Sequence, residues 1–98
     1  MDYVLLLRPE ARLDLLDAFL WYQDQQAGLG HNFKLCIDDA LSKLVKHPLF
    51  YKKVHNSIRR IIIKKFPFGI FYIMSGNKII VLAVLHARRN PVKWENRE

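Results

Sequence analysis

The residues best equipped for chemistry sit in the second half of this chain. Two basic pairs, Arg59-Arg60 and Lys64-Lys65, precede the run His86-Ala87-Arg88-Arg89. Arginine holds phosphate or carboxylate through a fork of N–H donors. Lysine can orient or activate a hydroxyl, and histidine is the side chain that exchanges protons near neutral pH. Cleaving RNA without a metal requires activating a ribose 2′-hydroxyl, stabilising charge on the scissile phosphate and protonating the leaving oxygen. Lys64, Lys65, Arg88 and His86 are the candidates for such catalysis. Arg59, Arg60, Arg88, Arg89 and Trp94 are equally suited to a surface that binds a large anionic or acidic partner and performs no reaction. A plainer reading stands beside both. Lysine pairs guard strand edges against aggregation, and a histidine after a strand often serves only as a hydrogen-bonding residue.

The charge distribution sharpens this picture. Residues 1–51 carry five Lys and Arg against seven Asp and Glu, a net of −2, whereas residues 52–98 carry eleven against two, a net of +9. A half this basic faces phosphates, an acidic protein or both. Other classes lose support. The single cysteine, Cys36, excludes an intramolecular disulfide and a cysteine-based zinc site. His31, His47 and His55 lack metal-ligand spacing, so no metal is expected, and no cofactor either. No phosphate-cradling glycine loop, paired catalytic carboxylates in the basic half, or nucleophile with a neighbouring base is present to suggest a metabolic enzyme. A non-enzymatic nucleic-acid-binding module would use the same basic half, but no helix-turn-helix, zinc finger or aromatic single-strand motif organises one. The opening apolar run, Val4 to Leu7, is too short for a signal peptide or a membrane span, so a cytoplasmic protein is expected.

The elements that must position these residues follow from periodicity and punctuation. Val4–Leu7 has strand length, and Pro9 ends it and opens a helix, with Glu10 near the positive end of the helix dipole. Ala11, Leu15, Ala18, Phe19 and Tyr22 recur at helical spacing, giving a helix over about 9–26. Trp21-Tyr22 reads as hairpin packing. Gly28-Leu29-Gly30 breaks that helix, and Asn32 is placed to cap a second one. Its stripe Phe33, Ile37, Ala40, Leu41 and Leu44 runs to His47, before Pro48. Leu49–Ser57 reads as a connection. Strands are expected over Ile58–Phe66, Phe68–Met74 and Ile79–Leu85, with Ser75-Gly76-Asn77 as a hairpin turn. The last strand is an unbroken apolar run, of the kind covered on both faces. The fold class is therefore α+β, β-α-α-β-β-β. A helical hairpin packs on one face of a mainly antiparallel four-stranded sheet and leaves the other face available. One domain spans 1–98, with a tail partly flexible from about residue 90. Trp94 could dock back onto the domain or be left for a partner.

Six segments, in order and at matching spacing, resemble the RelE/ParE toxin superfamily. They are Arg8-Pro9-Glu10-Ala11, Gly28-Leu29-Gly30, His47-Pro48, Ile58-Arg59-Arg60, Lys65-Phe66-Pro67-Phe68 and Leu85-His86-Ala87-Arg88-Arg89-Asn90-Pro91. The resemblance covers nearly the whole chain. It implies the growth-inhibiting toxin of a bacterial type II toxin–antitoxin system, the kind linked to plasmid stabilization. RelE-like members are ribosome-dependent mRNA interferases, and ParE-like members poison DNA gyrase without being nucleases. RelE-like ribonucleases often carry a tyrosine or histidine near the carboxyl end, where this chain has only Trp94. The resemblance therefore leans to the ParE-like branch. It also implies a cognate antitoxin whose disordered segment folds along the helical hairpin and sets carboxylates against Arg59, Arg60 and Arg88. A homodimer or a toxin–antitoxin hetero-oligomer is compatible with this reading, and no membrane is involved.

Overall fold

The computed structural model describes residues 2–88 and 92–97. Strand β1 (Val4–Leu7) leads directly into α1 (Pro9–Gln25), with Pro9 in the first turn as its fixed φ favours. Ala11 and Ala18 are buried, and Leu15 and Tyr22 pack beside them on the core. The chain then turns through Gly28, whose φ of +89° lies in the left-handed region that disfavours side-chain-bearing residues. Helix α2 (Leu29–Lys46) starts immediately, so Gly28 and not Asn32 stands at its N-cap, and Gly30 is already helical. Asn32 is one turn inside, its N–H donating to the Gly28 carbonyl at 3.1 Å. Gly30 is required by proximity. A Cβ there would lie 2.6 Å from the Phe19 carbonyl oxygen, so its bareness lets the two helices touch.

The sheet has five strands in the order β1-β5-β4-β3-β2, one more than the sequence suggested. The added strand is β2 (Lys53–His55), within the segment read as a connection. It pairs with β3 (Ile58–Ile62) across the two-residue turn Asn56-Ser57, with Asn56 at φ 48°. Asparagine tolerates that conformation, which two-residue hairpins demand. The β3 strand also ends earlier than expected. Lys64 to Pro67 form the turn to β4 (Phe68–Ser75), with Lys65 at φ 69°, and Phe66 drops into the core. Finally β5 (Lys78–His86) lies antiparallel to β4 and parallel to β1. Opposite Phe71 and Tyr72 its register skips Leu82, a bulge that turns both Leu82 and Ala83 to the face away from the helices.

Two apolar clusters result. Between helices and sheet, Phe33, Phe66 and Phe68 surround Tyr22 with ring centroids 4.8–5.9 Å apart. Ile61, Ile70, Tyr72, Val81 and Val84 continue this layer. On the far face Ile58, Phe71, Leu82 and Ala83 form a second cluster. The sequence reading left that face open; the structure closes its centre with Trp94 from the short helix α3 (Val92–Glu95). The physical reason is the apolar run of β5, which needed a cover on each side.

Tyr72 makes stability sensitive to alkali. Its hydroxyl donates to the Pro48 carbonyl at 2.5 Å in the buried layer. Burial pushes the phenol from 10.0 up to about 12, against the pull of the nearby Arg59 cation. An acid whose folded pKa is raised stabilises fully below its unfolded value and loses that contribution as pH climbs to the folded one. Between pH 10 and about 12 the unfolding free energy should fall by about 1.4 kcal/mol per unit. Urea melts across that window, on the chain and on Tyr72→Phe, check this. The variant should start about 1 kcal/mol weaker and show a flatter alkaline decline.

Candidate functional site

Strand geometry decides which of the basic residues can act together. Neighbours on β3 alternate faces, so Arg59 and Arg60 point to opposite sides of the sheet. Arg59 lies on the helix side, where its guanidinium donates to the carbonyls of Tyr51 at 2.7 Å and Leu49 at 3.3 Å. It ties down the connection after α2 and is half-buried there. Arg60 lies on the far face beside Phe71, its register partner, with its stem laid over Gly69. A Cβ at Gly69 would come within 3.0 Å of the Arg60 Cδ. Among the described residues no carboxylate pairs with Arg60 or Arg88.

The other candidates gather at one end of the sheet without converging. Lys64 and Lys65 are exposed in the β3–β4 turn. Lys43 of α2 is held protonated above its ordinary range by Asp39, 3.1 Å away, with Lys64 also in reach of it. His86 is the last residue of β5, and its parity with Val84 puts the ring on the helix side. There it lies 6.0 Å from Phe68, while Nδ1 accepts the Arg88 N–H at 3.2 Å. Arg88 itself is exposed. Arg89 lies outside the described residues.

The tail holds the least anticipated geometry. Trp94 is only 5% exposed and stacks on Phe71, centroids 4.6 Å apart at 19°. At one end Glu95 meets His55 of β2 at 3.6 Å. At the other Arg97 reaches both carboxylate oxygens of Asp14 on α1, at 2.5 and 3.3 Å, and also the Leu82 carbonyl. The second Asp14 function is backbone-directed: Oδ2 accepts the Val84 N–H at 3.0 Å. The strap thus crosses the sheet from β2 to α1, and of the two places open to Trp94 in the sequence, docked back or left for a partner, the indole takes the first. Sequence reading missed the Asp14–Arg97 pair, because nothing local connects residues 83 positions apart.

A third feature is the outer surface of the hairpin. Leu13, Leu16 and Leu20 on α1 and Leu35 on α2 are more than half exposed. The three on α1 recur at helical spacing as an apolar stripe left uncovered by the described residues, flanked by the carboxylates of Asp17 and Asp24.

Comparison with known proteins fits this arrangement. The model of the ParE toxin of the type II toxin–antitoxin system parDE matches residues 5–91. The chain belongs to the ParE toxin family. It is thereby a member of the RelE/ParE superfamily and of a family of type II toxins. A solved chain from the chromosomal ParDE TA system of P. aeruginosa superposes with a TM-score of 0.77. It has 15% identity, and the match covers 86% of this chain and 95% of that one. A chain of the RelBE2 toxin–antitoxin complex from Mycobacterium tuberculosis gives 0.60 and 15% identity, covering 88% and 99%. At that identity each likeness carries the fold alone. A search of curated proteins finds no match. Within the ParE family fold, no described group of His, Cys, Asp and Glu could hold a metal. No described helix is long and apolar enough to cross a membrane.

Proposed function

We propose that this ParE-family chain is a growth-inhibiting bacterial toxin that acts in the cytoplasm by engaging DNA gyrase, and that it does so by binding and not by cutting RNA. One observation carries the choice. The groups a ribonuclease would need share one end of the sheet without converging: Lys64 and Lys65 are exposed in the β3–β4 turn, the His86 Nδ1 is taken by the Arg88 N–H, Arg60 lies on the opposite face from His86, and Arg59 is committed to backbone carbonyls. Phosphate-holding and proton-transferring groups must meet within hydrogen-bond reach of one scissile bond; among the described residues no contact joins Lys64 or Lys65 to His86 or Arg88, and the sheet parts Arg60 from His86. The burial of Trp94 on Phe71 supports the same reading, because it covers the centre of the Arg60 face. Arg60 and Arg88 remain available cations for a target surface.

Neutralisation fits the uncovered leucines. A cognate antitoxin would lay an amphipathic segment on Leu13, Leu16 and Leu20, in the helix-in-groove manner. Its charge requirement differs from the sequence-based expectation: on α1 it meets Asp17 and Asp24, so basic residues fit there, and carboxylates fit beside Arg60 and Arg88. Both solved relatives come from toxin–antitoxin systems, which favours a partner of this kind.

Induced expression in a bacterial host tests the target. Gyrase engagement should give growth arrest with filamentation and intact transcripts, and the purified chain should inhibit supercoiling or trap gyrase–DNA cleavage complexes. Rapid transcript cleavage at ribosomes, with gyrase untouched, would overturn the proposal and return Lys64, Lys65, Arg88 and His86 to catalytic candidacy.

A further inference from the structure

The β5 strand outruns its neighbour. The last β1–β5 pair is Leu7 with Val81, after which only the Arg8 N–H reaches the Val81 carbonyl and Pro9 turns the chain into α1. Beyond that point the outer edge of β5 borders a cleft of about 540 Å³ lined by Asp14, Asp17, Trp21, Tyr22, Phe68 and His86, among others. Backbone direction along this edge is fixed by two bonds. Val84 N–H points outward, because it donates to Asp14, whereas Ala87 N–H points inward, to the Pro67 carbonyl. Strand groups alternate, so the Val84 carbonyl and the His86 N–H also face the cleft. Neither meets a partner among the described residues.

We propose that this cleft docks an extended segment of a partner protein, one bearing lysine or arginine next to an apolar residue, as a short strand parallel to β5. In a parallel ladder one residue donates its N–H to the carbonyl of residue i−1 and accepts the N–H of residue i+1. A single docked residue beside Leu85 would therefore satisfy Val84 and His86 together, leaving the Asp14–Val84 bond in place. That orientation continues the parallel pairing β1 has already begun. The charge of the occupant follows from the chain's own precedent. Arg97, from the tail, already supplies a cation to this edge, bonding Asp14 and the Leu82 carbonyl at once. Further along, the Asp17 carboxylate is exposed and has no cation among the described residues. Trp21, 59% exposed, and Phe68 offer the apolar contact. Edge strands left unpaired in this way are templates for strand addition. This surface adjoins the outer leucines and shares Asp17 with them, so the backbone response at Val84–His86, and not the charge effect alone, distinguishes strand docking here from a segment laid on the leucines.

The probe is a blocked pentapeptide of alternating valine and lysine, titrated into the isotope-labelled full chain, with the glutamate-for-lysine peptide as control. The lysine peptide should shift the amide signals of Val84, Leu85 and His86 and slow hydrogen exchange at His86. Asp17→Lys should weaken it about fivefold, and Trp21→Ala should weaken it too, both with otherwise unchanged spectra. Shifts without slowed exchange at His86 would mean charge attraction without strand pairing, and overturn the proposal. So would equal binding of the glutamate peptide, or no response at these amides.

Discussion

Replacing Trp94 by alanine is expected to remove about 3–5 kcal/mol of stability, the cost of emptying a buried aromatic site. A domain of this size has only about 5–15 kcal/mol in total, so the loss should be visible as a fall of ~15 °C or more in melting temperature. The magnitude rests on where the indole lies. It is stacked on Phe71 and closes the cluster Ile58, Leu82 and Ala83, so truncation exposes that cluster as well as losing the ring. The stack also holds a strap tied at both ends. With the centre gone, the half-exposed His55–Glu95 contact and the Arg97–Asp14 pair would have to order the tail alone. The second of these also supports the Val84 N–H through Asp14. Trp94→Phe should retain most of the stability, since a smaller ring can still lie on Phe71. Urea denaturation of both variants measures it. A loss under about 1 kcal/mol for the alanine variant would mean the tail does not depend on this docking in solution.

The second large effect concerns partner capture. Leu16 and Leu20 are 51% and 54% exposed, so changing both to lysine should leave the fold and its melting temperature nearly unchanged. Each leucine buried in a complex contributes roughly 1.5–3 kcal/mol, so losing both should weaken antitoxin binding by about a hundredfold or more. Two new cations would face a segment that, on our reading, is itself basic opposite Asp17 and Asp24, which adds repulsion. Toxicity should persist, because Arg60 and Arg88 are untouched, and co-expressed antitoxin should no longer rescue growth. Binding measured on purified components separates this from altered expression. Full rescue with undiminished affinity would place the antitoxin elsewhere.

Much of the fold was legible because its signals are local. Pro9, the apolar spacing of Ala11 to Tyr22, the stripe Phe33 to Leu44 and the break at Pro48 each act within a few residues, and the helices formed where they direct. The boundaries that moved have local causes too. Gly28 in the left-handed region ended one helix and began the next, and the Asn56-Ser57 turn made a strand of a segment whose composition looked like a connection. Family membership was readable for the same reason: its segments are short phrases in a fixed order, and the family match spans residues 5–91.

The candidate surface was legible only as a list of residue types. Charge counts identify eleven basic residues in 52–98, but which of them act together depends on strand parity and on contacts distant in sequence. Adjacency made Arg59 and Arg60 look like one site, yet the pleat sends them to opposite faces. Trp94 was equally compatible with docking or display until the exposed apolar side of β5 drew it in. The Asp14–Arg97 pair, and the open edge of β5 beside it, exist only because the sheet brings the start of α1 and the end of the chain together. Sequence determined the elements, through dihedral preference and periodic burial. Tertiary packing decided which side chains were consumed in holding the sheet and which were left free to meet a partner.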